Sequence, residues 1–219
     1  MDLSGTDAVL FDLDGVLVDS RTAFTRSMNA ALAEHGLPER PDGELHPFLG
    51  PPLHRTFATL AAEAGAGEDV VEGLVLSYRA RYRATAVAES AVFPGMAEAL
   101  EQLAVVMPLV VATSKSQALA EPLLEQLGLR RYFQAIHGPS LQARDEAKSL
   151  TIARALEGLP HARRAVMVGD RKFDVLGARA HDLPCVGVLW GIGSERELRE
   201  AGALVLVEEP SDLPELFGA

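Results

Sequence analysis

The 219 residues include a single cysteine, three lysines and few aromatic side chains (5%). One cysteine, Cys185, excludes an internal disulfide and suits a reducing compartment, so a cytoplasmic location is expected. Its strand-like surroundings give it core packing as its expected role. The six histidines (35, 46, 54, 137, 161 and 181) never take the His-x-x-x-His spacing of a helical zinc site, which argues against a zinc centre. Basic residues are outnumbered by acidic ones, 20 to 31, for a net charge of −11. That balance excludes a broad basic surface for nucleic-acid polymers or anionic membranes. An anionic small molecule stays open, because local charge at a site decides its binding. Long apolar runs are also missing: the longest, Leu103 to Ala112, is interrupted by Pro108 and is too short to span a bilayer. The N-terminal segment (Asp2, Ser4, Asp7) lacks the basic stretch of a secretory signal.

What is present begins at Val9-Leu10-Phe11-Asp12-Leu13-Asp14-Gly15. A short apolar run from Ala8 to Phe11 reads as a buried strand, and Gly15 breaks it. Side chains alternate along a strand, so Asp12 and Asp14 leave it on the same side. Two carboxylates held close repel unless a cation or a shared proton relieves them. Mg²⁺ suits that role, because it takes hard oxygen ligands from one or two carboxylates plus a substrate phosphate. On this segment alone, two solvated aspartates opening a turn explain the pattern equally well.

Three later segments decide between these readings. The run Leu109-Val110-Val111-Ala112 ends in Thr113-Ser114-Lys115. Lys148 stands early in a helical pattern of Ala147, Leu150, Ile152, Ala153 and Leu156. Ala165-Val166-Met167-Val168 leads into Gly169-Asp170-Arg171-Lys172-Phe173-Asp174. In open α/β sheets ligands bind beyond the carboxyl ends of the strands, so these segments are expected to meet. Together they bring carboxylates, hydroxyls and an ammonium, the groups that phosphoryl transfer requires.

Chain organisation supports this. From Ser20 the pattern is helical for seventy residues. Phe24, Met28, Ala31 and Leu32 share one face. Leu53, Phe57, Leu60, Ala61 and Ala64 mark a second helix, and Val70, Leu74, Tyr78 and Tyr82 lie on a third. From Val92 onward, strands at 108–113, 133–137, 165–169, 185–189 and 204–207 alternate with helices at 95–103, 117–127, 146–157, 172–180 and 194–201. The expected fold is α/β: a doubly wound, mostly parallel sheet with an inserted all-α helical cap. Residues 1–18 and 92–219 would form the core and 19–91 the cap, with hinges at 42–52 and 89–95.

The segments Asp12-Leu13-Asp14-Gly15, Thr113, Lys148 and Gly169-Asp170 with Asp174 together resemble the motifs of the haloacid dehalogenase-like superfamily, in its helical-cap branch. Gly50-Pro51-Pro52-Leu53, Tyr78-Arg79, Phe93-Pro94-Gly95 and Trp190-Gly191-Ile192-Gly193-Ser194 are similar to phosphoglycolate-phosphatase-like and 5′-nucleotidase-like members. Where those relatives carry Leu-Asp-Gly-x-Arg before the lysine, this chain has Leu141-Gln142-Ala143-Arg144.

The resemblance implies a Mg²⁺-dependent phosphomonoester hydrolase acting through an aspartyl-phosphate. Asp12 would be the nucleophile and Asp14 the general acid and base. Thr113 and Lys148 would hold the phosphoryl oxygens. Asp12, the main-chain carbonyl of Asp14, Asp170 and Asp174 would hold the metal. Ser114 and Lys115 would complete the phosphate site. By their spacing, Arg79 and Arg83, one helical turn apart beside Tyr78 and Tyr82, would either read the leaving group or form a solvated basic face opposite buried tyrosines. Gly50-Pro51-Pro52 is either a hinge or a loop reaching into the site, and Trp190 would close its rim. The substrate would be a small phosphorylated metabolite, and the protein a monomer or homodimer. Asp14 argues against dehalogenation. The absence of lysine between residues 15 and 92 argues against the Schiff-base route of phosphonate hydrolysis. A phosphosugar mutase shares both aspartates and stays open, as does a non-catalytic binding protein that has kept the fold.

Overall fold

The computed structural model describes residues 3–219; Asp2 of the acidic N-terminal segment lies outside the described residues. The first strand, β1 (Ala8–Phe11), is fully buried. After the Asp12–Gly15 turn, the two-residue β2 (Val18–Asp19) leads into a helical insertion. The insertion holds α1 (Arg21–Glu34), the short α2 (Asp42–Leu45), a 3₁₀ turn at His46–Phe48, α3 (Leu53–Glu63) and α4 (Val71–Thr85). The chain returns through β3 (Ala91–Val92), which pairs antiparallel with β2, Val18 opposite Val92. Strand and helix then alternate: α5 (Met96–Val106), β4 (Leu109–Ala112), α6 (Gln117–Gln126), β5 (Ala135–His137), α7 (Lys148–Glu157), β6 (Ala165–Gly169) and α8 (Lys172–Arg179). The last elements are β7 (Cys185–Val188), α9 (Glu195–Ala201), β8 (Val205–Val207) and α10 (Leu213–Phe217).

Six of these strands form one parallel sheet in the order β5-β4-β1-β6-β7-β8. From β1 the chain builds outward through β4 and β5, then crosses to the other side of β1 for β6, β7 and β8. The reversal falls at β1, which opens a crevice at its carboxyl end. Period-two alternation distributes the strands' side chains to two cores. Val9, Phe11, Val111, Val166 and Val168 join α5, α6, α10 and the helical insertion on one face. Ala8, Leu10, Val110, Ala112, Ala165 and Met167 pack against α7, α8 and α9 on the other. Cys185 lies in this second core, buried in β7 as its expected packing role requires.

The doubly wound core and helical insertion agree with the sequence reading. One expectation needs correction. Residues 42–52 are no hinge: they form α2, the 3₁₀ turn and a loop inside the insertion, and the chain crosses between insertion and sheet at the β2–β3 ribbon. Glycine and proline mark interruption of regular structure; they do not say which partner the interrupted segment meets. Among the described residues no helix is long and apolar enough to cross a membrane.

Within the insertion α4 packs against α1 and α3, and Leu74 near its start is fully buried. Leu74→Ala is expected to lower stability by about 2–5 kcal/mol through lost burial and the cavity left behind. Urea denaturation of the variant against the parent measures it; a loss under about 1 kcal/mol would show that the site collapses around the smaller side chain.

Candidate active site

Two strand ends and two helix starts supply the charged groups at the crevice. Asp12 follows β1, Asp170 follows β6, Asp174 sits in the first turn of α8 and Lys148 opens α7. All four are buried, with Asp170 wholly so. One oxygen from each of Asp12, Asp170 and Asp174 falls within 4.8 Å of the others. The Lys148 ammonium lies 2.8 Å from Asp12 Oδ1 and 2.7 Å from Asp174 Oδ1. Asp12 Oδ1 also accepts the Leu13 amide at 2.7 Å, and Asp174 Oδ2 accepts the Arg171 amide at 3.1 Å. Asp170 Oδ2 accepts the Ile192 amide at 2.7 Å, whereas its Oδ1 is buried without a hydrogen-bond partner.

Two of the three carboxylates therefore share one ammonium, and among the described residues Asp170 has no cation in contact with it. Burial, reinforced by the charges of Asp174 and Asp12, pushes the Asp170 carboxyl well above the ordinary range. Burial pushes Asp174 up to about 6, against the opposing pull of Lys148. Burial alone would lower the Lys148 ammonium; Asp12 and Asp174 reverse that and hold it above its usual value. The unbalanced negative charge, the unpartnered Asp170 oxygen and an all-oxygen donor set fit a small hard divalent cation. Backbone shape fits as well. Gly15 adopts a φ of 85°, and a β-carbon there or at Gly191 would strike the Asp170 side chain.

The Asp14 carboxylate stands apart from this cluster. Its Oδ1 accepts from the Ser20 hydroxyl at 2.6 Å and its Oδ2 lies 3.0 Å from the Lys115 ammonium. Lys115 also donates to Tyr82 Oη at 2.8 Å and lies over that ring, 4.1 Å from its centroid. The sequence assigned Lys115 to phosphate binding; the structure engages its ammonium with Asp14 and with the insertion. Burial, then the Asp14 charge, holds the Tyr82 hydroxyl well above its ordinary range. Thr113 is buried, donates its amide to the His137 carbonyl at 2.9 Å and accepts the Lys115 amide on its hydroxyl at 3.2 Å.

Asp12, Asp14, Thr113, Ser114 and Lys115 line a cavity of about 100 Å³ whose far wall comes from the insertion. That wall includes Phe24, Phe48, Gly50, Pro51, Pro52 and Tyr78, with His54 and Arg79 as its basic groups, and Arg144 joins the lining from the core side. Gly50-Pro51-Pro52 is thus a site loop. Arg79 is at the cavity, and Arg83 is not: one turn further along α4 it is exposed and outside the lining. A shared helical face does not ensure a shared destination, because each turn advances about 5.4 Å along the axis. Trp190 is outside the lining of the cavity; its Nε1 donates to the Val16 carbonyl at 3.0 Å. His54 gave no sequence signal; it pairs with Glu72 at 3.2 Å, and Arg144 meets the same carboxylate at 3.4 Å.

The sequence profile of the haloacid dehalogenase-like hydrolases matches residues 9–188. A 5′-nucleotidase of Pseudomonas aeruginosa is 41% identical over 196 residues, covering 87% of this chain and 86% of that protein. A phosphoglycolate phosphatase of Caulobacter vibrioides is 34% identical over 97% of this chain and 91% of its own length. Among solved structures, a predicted phosphatase from Clostridium acetobutylicum superposes with a TM-score of 0.87 at 35% identity, covering 96% of this chain and 97% of that one. On the strength of the motif order, the sheet topology and these matches, the chain belongs to the haloacid dehalogenase-like hydrolase family, with phosphatases among its relatives.

Proposed function

We propose that this phosphatase is a Mg²⁺-dependent phosphomonoester hydrolase that works through an aspartyl-phosphate on Asp12. The observation that carries the reading is the clustering of the Asp12, Asp170 and Asp174 carboxylates, with the Lys148 ammonium against Asp12 and Asp174. An anionic nucleophile meets an anionic phosphate only where positive charge is supplied first. Bound between Asp12, Asp170 and Asp174, Mg²⁺ would supply that charge as a Lewis acid toward the phosphoryl oxygens.

The protein's own groups divide the remaining work. The two bonds to the Asp12 carboxylate both fall on Oδ1 and orient it, so Oδ2 is the attacking atom. Lys148 pairs with Asp12 and, with Thr113 and Ser114, faces the phosphoryl oxygens. Asp14, held by Ser20 and Lys115, protonates the departing alkoxide and then takes a proton from the water that cleaves the aspartyl-phosphate. Helices α1 to α4 act as the cap whose inner wall excludes bulk water.

The leaving group we propose is compact and anionic, of the phosphoglycolate type. A cavity of about 100 Å³ is small beside the roughly 300–1,000 Å³ of pockets for drug-sized ligands. Arg79 on its wall suits a carboxylate. A 5′-nucleotide is the second reading, favoured by a neighbouring cleft of about 790 Å³ that shares Gly50, His54, Ser114 and Arg144 with the first. Phosphate release from 2-phosphoglycolate against nucleoside monophosphates separates the two: a higher kcat/KM for the nucleotides would overturn the compact assignment.

Asp12→Asn is expected to lower phosphate release by at least about a thousandfold with unchanged circular dichroism. Substantial residual turnover would remove Asp12 as nucleophile. Metal addition gives a second measurement. Asp174 has a folded value of about 6, above its ordinary 3.8. Protonation therefore favours the metal-free folded state, a contribution fully present below the ordinary value and lost as pH rises through about 6. At pH 7.5, Mg²⁺ at roughly 100 times its Kd is expected to raise Tm by about 5–10 °C. The shift shrinks at pH 5, where protons compete for the carboxylates. Calorimetry with EDTA and with Mg²⁺ tests this; no shift at pH 7.5 would sink the metal assignment.

A further inference from the structure

The residue after Asp170 has no part in the chemistry described above, yet its guanidinium is one of the few buried charges in the molecule. Arg171 is 8% exposed. From the core it crosses to the helical insertion, where Nη1 donates to the Leu49 carbonyl at 2.5 Å and to the Pro47 carbonyl at 3.5 Å. Nη2 also reaches Pro47 at 3.5 Å. Nε donates to Glu197 Oε1 at 3.0 Å, and the same oxygen accepts the Lys172 amide at 2.9 Å. The guanidinium carbon lies 5.4 Å from the centroid of the Phe173 ring.

The segment it grips has little hold on itself. Pro47, Pro51 and Pro52 have no N–H to donate. Gly50 stands at a φ of 113° with Arg171 Nη1 and Phe173 each 3.7 Å from where a β-carbon would be. Yet Phe48, Leu49, Gly50, Pro51 and Pro52 all line the cavity over Asp12. A buried cation spent on two loop carbonyls is costly unless the loop's position matters, since desolvating a guanidinium needs good compensation. Arginine is well suited to this, because its planar fork fixes direction where a lysine would supply only a point charge.

We infer that Arg171 is a positioning residue for leaving-group recognition: through Pro47 and Leu49 it holds the 47–52 loop against the metal-side loop and so shapes the wall that reads the substrate. The inference rests on the proposed phosphatase reading for its kinetic consequence and on the contacts alone for its structural one. Glu197 orients the guanidinium from behind. Substitution leaves the Arg171 amide in place, so the bond to Asp174 Oδ2 is retained.

The test compares Arg171→Met, Arg171→Lys and Glu197→Gln with the parent in two measurements. In steady-state kinetics Arg171→Met is expected to raise KM for 2-phosphoglycolate by about tenfold or more, the loss of a charge-assisted hydrogen bond. Its kcat on acetyl phosphate, whose leaving group needs little recognition, stays within about threefold. Arg171→Lys recovers part of the KM, and Glu197→Gln gives an intermediate rise. In hydrogen exchange, the amides of Phe48, Leu49 and Gly50 are expected to exchange faster in Arg171→Met while β1 and β6 stay protected. Equal losses on both substrates, or unchanged exchange at residues 48–50, would overturn the inference. Should Arg171→Met fail to fold, Glu197→Gln carries both measurements. A parent that hydrolyses neither compound refutes the phosphatase reading, whereas the exchange result still decides the role of Arg171 in holding the loop.

Discussion

Crowding of like charge governs this molecule. Asp12, Asp170 and Asp174 are buried within contact range of one another, and one ammonium is shared between two of them. In water such a group would spread apart. Here the sheet forbids it, because β1 and β6 are hydrogen-bonded neighbours and their ends cannot separate. The strain is electrostatic rather than conformational, and a phosphatase can use it: a site in need of positive charge binds a cation, and the cation makes an anionic substrate tolerable.

The remaining architecture serves that arrangement. Strand order places the chain reversal at β1, so the crevice opens where the acidic turn begins. Glycines at 15 and 191 bring backbone close to Asp170 in place of side chains. The helical insertion supplies what a shallow crevice lacks, an opposite wall, and two core cations reach across to it: Lys115 to Tyr82 and Arg171 to the 47–49 carbonyls.

Much of this was legible from residue order. Apolar runs ending in Asp12, Thr113 and Asp170 read as strand ends, and strand ends of a parallel sheet converge, so the meeting of Asp12, Lys148, Asp170 and Asp174 followed from topology. Pairings between distant side chains did not. Nothing in Thr113-Ser114-Lys115 announces that the ammonium will turn to Asp14 and Tyr82, since that depends on where α4 lies. Arg79 and Arg83 look equivalent on a helical wheel and differ only in which one the cavity reaches. Residues 42–52 carried signals of interruption, and only packing shows that the segment faces the site. His54 and Arg171 sit in patterns that would suit an ordinary solvated face.

The scarcity of lysine acquires a practical meaning once burial is known. Lys115 and Lys148 are enclosed, with side-chain exposures of 9% and 4%, while Lys172 lies open on α8. Amine-directed acylation therefore has one accessible ε-amino target on the fold. A fluorophore attached there would stand one residue from Arg171, giving a side-chain reporter at one position of the fold without an engineered cysteine.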